Sequence, residues 1–264
     1  MATRISSLRP ARTIAATHTV LAFAMALGSA TFAAAPRMSG AEHPPFGYEP
    51  MKVPNGCFVE SVSCFDAFHE KFGENGWVRV LQWGAKEDEV MVAGHAVTVF
   101  ETADVVWCWD VNCGWTPLSI APAERDNAVV VAAPIVTNYP RVTALYPILW
   151  DDGAQAPEAG PPGAEPSAEA EGPQYARIAA ARLARHRPVN VIEFTQTENG
   201  ESKTSEAVVF VFGGRMCVYS PEKGTTTFRA RSSVWNVHLT MEMVRRIFPG
   251  AEGIRSIALP APES

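Results

Sequence analysis

The alternation of hydrophobic and polar residues predicts one helix and several strands in the first part of the chain. Apolar residues recur every three or four positions over residues 57–72, which indicates an amphipathic helix. Residues 77–83 alternate as a strand, and residues 93–110 alternate on both sides of the polar turn Glu101–Asp104, which predicts a hairpin. The apolar run at residues 128–136 predicts a further strand.

The pattern then repeats in the second part of the chain. A helix, a strand, a hairpin around Gly213-Gly214 and a short helix are predicted over residues 175–187, 189–194, 206–220 and 239–248. When the sequences of the two predicted hairpins are aligned, Trp109 is matched with Tyr219 and Gly114 with Gly224. The chain is therefore predicted to be α+β, and the second part is interpreted as a degenerate repeat of the first.

Two segments of biased composition divide the chain. Residues 1–35 have a basic start and an apolar stretch that ends in small residues, which is typical of a cleaved secretory signal. Residues 151–174 contain five prolines and six acids but no aromatic or branched apolar side chain, so we expect a disordered, protease-sensitive linker. The remaining parts are predicted to be two domains, at residues 41–150 and 175–264.

Charge and cysteine content narrow the function classes. Removal of the signal leaves 19 of the 22 Lys and Arg residues and all 28 Asp and Glu residues, so the formal charge is −9. A charge of this sign disfavours nucleic acid or an anionic membrane as the partner. After signal cleavage we expect a periplasmic or extracellular protein that does not span a membrane. The five cysteines are not spaced as a zinc site, and no metal or organic cofactor is indicated.

The first hairpin brings two ionisable residues together. With the turn centred between Thr102 and Ala103, His95 faces Asp110 across the strands, about 5 Å apart at Cβ. A carboxylate in that place orients an imidazole and stabilises its protonated form. We expect both side chains on the sheet face that packs against the Cys57 helix.

Cys57 is a candidate nucleophile for this base. It follows "VPNG" and opens the predicted helix, where the positive end of the macrodipole favours a thiolate. The alternative is that Cys57 is half of a structural disulfide, as exported cysteines often are. Cys64 and Cys108 are expected to pack as core thiols or to pair with each other, while Cys113 and Cys217 remain unassigned.

The segment from Asn55 to Pro117 resembles the papain-like fold, and within it the transglutaminase-like cysteine enzymes. The resemblance consists of "NGC" at a helix start, "GHAVTVFE" with His95 38 residues after Cys57, and "WCWD" with Asp110 15 residues later. It implies an N-terminal helix packed on an antiparallel sheet and a Cys57, His95 and Asp110 triad. The residues that follow His95 and Asp110 depart from the family pattern.

The resemblance implies an exported thiol-dependent acyl-transfer enzyme, an amidase, peptidase or transglutaminase, that acts on a protein or peptide amide. The oxyanion would lie near the backbone N–H of Cys57, with Asn55 as a further donor. In the second part, Glu206 would take the place of His95 and Ser220 that of Asp110, so that part would lack the chemistry. The alternative function is a non-catalytic exported binding or scaffold protein with structural cysteines.

Overall fold

The computed structural model describes residues 45–87, 90–139, 146–152, 174–198, 200–228, 234 and 236–258. This part of the chain is α+β, with four α-helices and two five-stranded antiparallel sheets. The predicted signal peptide and residues 153–173 of the predicted linker lie outside the described residues. None of the described helices has the length and apolar character needed to cross a membrane.

The first sheet is built around a four-stranded meander. Its elements are α1 (Cys57–Phe72), β1 (Val78–Glu87), β2 (Val90–Thr102), β3 (Val105–Asp110), β4 (Gly114–Leu118), α2 (Ala128–Val136) and β5 (Ile148–Trp150). The strand order is β4-β3-β2-β1-β5, because β5 returns to pair with the free side of β1. The meander places the middle of β2 beside the end of β3 and the start of β4.

The second sheet has the same order of elements. These are α3 (Gln174–Leu183), β6 (Val189–Glu198), β7 (Glu201–Phe212), β8 (Arg215–Ser220), β9 (Gly224–Phe228), α4 (Val237–Ile247) and β10 (Glu252–Ile257). The strand order is β10-β6-β7-β8-β9, so β10 occupies the place that β5 has in the first sheet. The two halves therefore share one topology, and Trp109 and Tyr219 occupy equivalent pairing positions.

Residues 128–136 form helix α2, so the strand predicted there is wrong. The side chain of Asn127 caps the helix by accepting hydrogen bonds from the backbone N–H groups of Val129 and Val130. Val131, Ala132 and Ile135 form a buried helical face, which packs on the first sheet. A cap and this contact outweigh the strand preference of the valines.

Helices α1 and α3 lie between the two sheets and share a single core with both. That core contains Phe58, Phe65, Phe100, Leu183, Phe210 and Phe212, all almost fully buried. Helix α2 covers the outer face of the first sheet and α4 that of the second. The halves are also joined by a buried ion pair between Asp66 of α1 and Arg187, which follows α3.

The turn of the first hairpin is Ala103-Asp104, with both residues in the left-handed region at φ 49° and 60°. Thr102 therefore pairs with Val105, two residues away from the predicted register. Such a two-residue turn matches the twist of the flanking strands. The direct pairing of His95 with Asp110 was thus predicted wrongly, although a shift of two keeps both on one face.

That face is the one covered by α2, not by α1. On β2, Ala96 and Phe100 point to the α1 core, whereas Val97 points to the α2 core. Alternation puts His95 with Val97, and Asp110 with Cys108 on the same α2 face. The prediction that both side chains lie on the face packed against the Cys57 helix is therefore wrong.

Candidate functional site

Cys57 is the first residue of α1 and is half-buried with a free thiol. The preceding residue, Gly56, caps the helix and passes so close to Val53 that an added Cβ would lie 2.4 Å from Val53 Cγ2. Only glycine fits there without a shift of the chain, and Asn55 beside it has a φ of 51°. The loop thus fixes the thiol at the positive end of the helix dipole.

The buried carboxylate of Glu60 holds the approach to this loop. It accepts hydrogen bonds from the backbone N–H groups of Met51 at 3.0 Å and Lys52 at 2.5 Å, and from the hydroxyl of Tyr48 at 3.0 Å. Glu60 lies in the first turn of α1, where a negative charge is stabilised by the helix dipole. The helix and the segment before Cys57 are therefore positioned together.

The second half of the chain anchors the same loop. The hydroxyl of Tyr219 donates to the carbonyl of Pro54 at 2.7 Å, and Nδ2 of Asn55 donates to the carbonyl of Pro221 at 2.7 Å. Asn55 thus ties the Cys57 loop to the end of β8. Its role as an oxyanion donor stays a prediction, and the structure gives one of its amide hydrogens a different partner.

His95, Asp110 and Tyr139 form a hydrogen-bonded cluster on the outer face of the first sheet. Nε2 of His95 lies 3.1 Å from Oδ1 of Asp110 and 2.8 Å from the Tyr139 hydroxyl, which donates to Oδ2 of Asp110. Trp83 packs edge-on against the imidazole at 5.1 Å between ring centres. Tyr139 was not predicted as a site residue, because it lies beyond the predicted strand at residues 128–136, in a segment without a clear pattern.

These contacts favour the charged forms of His95 and Asp110. Burial lowers the pKa of His95, but its hydrogen bond to Asp110, the nearby Cys57 thiol and the Asp110 charge raise that pKa to about 9. For Asp110, burial raises the pKa, but the His95 hydrogen bond and charge, the Tyr139 hydroxyl and the Asn112 backbone N–H lower it below its usual value. The cluster therefore stabilises an imidazolium beside a carboxylate.

The contacts also assign the proton on the imidazole. An ionised carboxylate only accepts hydrogen bonds, so Nε2 carries the hydrogen that points to Asp110. In the neutral ring, Nδ1 is then the basic nitrogen. Asp110 and Tyr139 both contact Nε2, so neither of them occupies Nδ1.

A small cavity joins the thiol and the imidazole although they belong to opposite faces of the sheet. On the α1 face, Gly94 and Ala96 flank His95 and leave room beside Cys57. The cavity is lined by Asn55, Cys57, Phe58, Gln82, Gly94, His95, Ala96 and Thr225. Its volume is about 10 Å³, which is the room that one water molecule needs.

A larger cleft of about 790 Å³ lies at the other end of α1. Its charged side chains largely pair with one another, as Asp66 does with Arg187 and Asp151 with Arg79. It contains no cysteine, and its acids and bases compensate each other. The smaller cavity beside Cys57 is therefore the better candidate for chemistry.

The remaining cysteines do not compete with Cys57. All five thiols are free, so the predicted alternative of a disulfide at Cys57 or between Cys64 and Cys108 is not present. Cys64 and Cys108 are core thiols, as the other alternative predicted, and burial raises the pKa of each. Burial likewise raises the pKa of Cys217 to about 12, and burial with the Asp110 charge raises that of Cys113.

The second half carries serines at the positions of His95 and Asp110. Both hairpins have two-residue turns, and the Thr98–Trp109 pair corresponds to Val208–Tyr219. His95 then corresponds to Ser205 rather than Glu206, so that prediction is corrected, and Asp110 corresponds to Ser220.

Glu206 lies instead on the α3 face of the second sheet. Its carboxylate forms an ion pair with Arg177 of α3, with Nε 2.9 Å from Oε1. The prediction was one residue off because a single constant offset relates β2 and β3 to β7 and β8, as their pairings show.

Among the described residues, no group of three or more His, Cys, Asp or Glu side chains is placed to hold a metal ion.

Comparison of the chain with models of known families, with curated proteins and with solved structures gives no match. The chemistry of the site must therefore be argued from its own geometry.

Proposed function

We propose that this protein is a thiol-dependent acyl-transfer enzyme of the papain-like, transglutaminase-like kind, with Cys57 as nucleophile, His95 as base and Asp110 as orienting carboxylate. The observation that carries the proposal is the His95–Asp110 pair, which leaves Nδ1 for a thiol at a helix N-terminus that lines the same cavity. The order of a cysteine at a helix start followed by histidine and aspartate on adjacent strands is the one that this family uses, whereas here both side chains lie on the face opposite the helix.

Before acylation, the proton of the Cys57 thiol has moved to Nδ1 of His95, so the site holds a thiolate beside an imidazolium. The thiolate attacks the carbonyl carbon of an amide, and a C–S bond forms while the carbonyl electron pair moves to oxygen. When the oxyanion collapses, the C–N bond breaks and the imidazolium gives its proton to the leaving amine. The products of this step are a thioester on Cys57, a free amine and neutral His95.

In the second step, His95 takes a proton from water, and the hydroxide attacks the thioester carbonyl. The C–S bond breaks, the thiolate is protonated by the imidazolium, and a carboxylic acid leaves. An amine in place of water would give cross-linking. With a predicted export signal, we assign a protein or peptide amide in the periplasm or extracellular space as substrate, with hydrolysis as the reaction.

A second candidate function is a non-catalytic binding or scaffold protein. The observation in its favour is the size of the cavity, about 10 Å³, which is too small for more than one atom of a substrate in this conformation. In that case the hydrogen-bonded cluster of His95, Asp110 and Tyr139 only stabilises the fold, and the half-buried thiol of Cys57 has no catalytic role.

Acylation by p-nitrophenyl acetate separates the two functions. An enzyme should release p-nitrophenolate in a burst and carry an acetyl group on Cys57, which peptide mapping by mass spectrometry locates. Cys57→Ser should abolish the acetyl-thioester, and His95→Ala should slow its formation at neutral pH. If acetate is found only on lysines, or at the same rate in His95→Ala, the enzyme proposal is wrong.

A further inference from the structure

Thr225 is a buried hydroxyl from the second half of the chain that reaches the Cys57 cavity. It is 4 % exposed, lies on β9 and pairs with Tyr219, whose side chain belongs to the core between the sheets. Its side chain therefore points towards α1, and Thr225 lines the cavity together with Cys57 and His95.

The hydroxyl of Thr225 has no hydrogen-bond partner in the part of the chain that the structure describes. Leaving a buried hydroxyl unpaired costs about 1–3 kcal/mol. Because buried hydroxyls are rarely left unpaired, Thr225 is placed to donate a hydrogen bond to a polar atom of a bound molecule. A volume of about 10 Å³ has room for one oxygen atom.

The position of that oxygen is defined by the groups around it. Cys57 brings the backbone N–H groups at the start of α1, which carry the positive end of the helix dipole. Gln82, 2 % exposed on β1, brings a side-chain amide to the same cavity. Donors of this kind, together with the helix dipole, stabilise an acceptor atom most strongly when it carries negative charge.

We propose that Thr225 is an oxyanion donor, so that the second half of the chain completes the acyl-transfer site of the first. This inference rests on the proposed function, since it needs a carbonyl attacked by Cys57. As the C–S bond forms, the carbonyl oxygen gains the electron pair, and the Thr225 O–H donates a hydrogen bond to it. The second half is then part of the site and not only a support for the Cys57 loop.

Thr227 offers a matched control for this proposal. It lies two residues further along β9, points to the same side, is 5 % exposed and also has an unpartnered hydroxyl among the described residues. It does not line the Cys57 cavity. Replacement of either threonine by valine keeps the shape and removes only the hydroxyl, so both variants should fold.

The experiment measures two reactions of Cys57 in the full chain. p-Nitrophenyl acetate reacts through an oxyanion, whereas iodoacetamide alkylates the thiolate by displacement of iodide and forms none. Thr225→Val should slow acetylation of Cys57 about 100-fold, the loss expected for one oxyanion donor, and leave alkylation unchanged. Thr227→Val should change neither rate, and Thr225→Ser should retain most of the acetylation rate.

Equal acetylation rates in wild type and Thr225→Val would overturn the inference while leaving the enzyme proposal standing. A parallel loss of acetylation and alkylation would also overturn it, because the thiol itself would then have changed. If wild-type Cys57 is alkylated but never acetylated, the proposed function fails first. The two failures are thus distinguished by the wild-type reaction.

Discussion

His95 and Asp110 are diagonal neighbours on adjacent strands, with Nε2 of His95 3.1 Å from Oδ1 of Asp110. The observed register places Thr98 across from Trp109, so extension by one step puts Val97, not His95, directly across from Asp110. The imidazole is long enough to span the diagonal, since side chains at such positions are still within reach. The Tyr139 hydroxyl closes the cluster by contacting both partners.

The His95–Asp110 pair should contribute to stability over a defined pH range. Because the pKa of His95 rises from 6.5 to about 9 on folding, its contribution is fully present below about pH 6.5 and is lost as the pH rises through about 9. For Asp110 the folded pKa lies below the unfolded value of 3.8. Its contribution to stability is therefore present above about pH 3.8 and is lost as the pH falls through the folded pKa.

Urea unfolding of wild type and Asp110→Asn tests this range. The difference in the free energy of unfolding between the two proteins should be larger at about pH 6 than at about pH 10, because deprotonated His95 no longer gains from the carboxylate. A difference that does not change between these values would show that His95 is not protonated in the folded protein.

Tyr139→Phe should weaken the cluster without removing His95 or Asp110. Loss of the hydroxyl removes a hydrogen bond to a buried carboxylate, which typically costs about 1.5–3 kcal/mol of stability. The pKa of Asp110 should rise towards its usual value, and alkylation of Cys57 should slow because His95 is held less well. Thermal unfolding and labelling rates measure the two effects, and wild-type values for both would contradict the assigned role.

Some of this arrangement could be predicted from the sequence. Helix α1 was predicted to start at Cys57, as observed, because its apolar positions have one clear period, while Gly73 and Gly76 were both possible ends and Gly73 is the observed cap. The Gly213-Gly214 turn was predicted because few residues adopt its conformation. His95 and Asp110 were brought together correctly despite a wrong register, since an error of two residues preserves the face.

Other parts depend on contacts that no local pattern contains. Asn127 was not recognised as a helix cap, so α2 was predicted to be a strand, and Tyr139 beyond it was not considered. Thr225 and Tyr219 reach the Cys57 loop only because the two sheets enclose α1 and α3. The face of His95 was predicted wrongly because β2 is apolar on both faces, so its alternation does not tell which face α1 covers.

Tyr219→Phe should loosen the Cys57 loop, although Tyr219 lies 165 positions after Pro54 in the chain. The variant loses the hydrogen bond to Pro54 O, which should lower stability by about 1 kcal/mol and slow the labelling of Cys57. Ser256→Ala is the control, because it removes a hydroxyl bonded to Asn190 in the same half but away from the loop. Equal labelling rates in both variants would mean that the second half does not position Cys57.

Cleavage between Asp152 and Gln174 should leave the two fragments associated, whereas the composition of the linker alone predicts the release of two stable fragments. The halves share the core around α1 and α3, and the Asp66–Arg187 ion pair joins them within that core. Limited proteolysis followed by gel filtration should therefore give a nicked protein that elutes as one species. Separate elution of two folded fragments would show that the shared core does not hold the halves together, and the predicted domain boundaries would then mark independent units.

The central claim is that His95 activates Cys57, and the alkylation rate of Cys57 in the native, unreduced protein tests it most directly. Iodoacetamide labelling at mildly acidic pH, followed by peptide mapping, should find Cys57 modified before the other four thiols, three of which are buried. His95→Ala should slow that labelling severalfold or more, because the imidazolium that stabilises the thiolate is gone. If the rate at Cys57 is the same in His95→Ala, or if mapping finds Cys57 fully disulfide-bonded, the claim is contradicted.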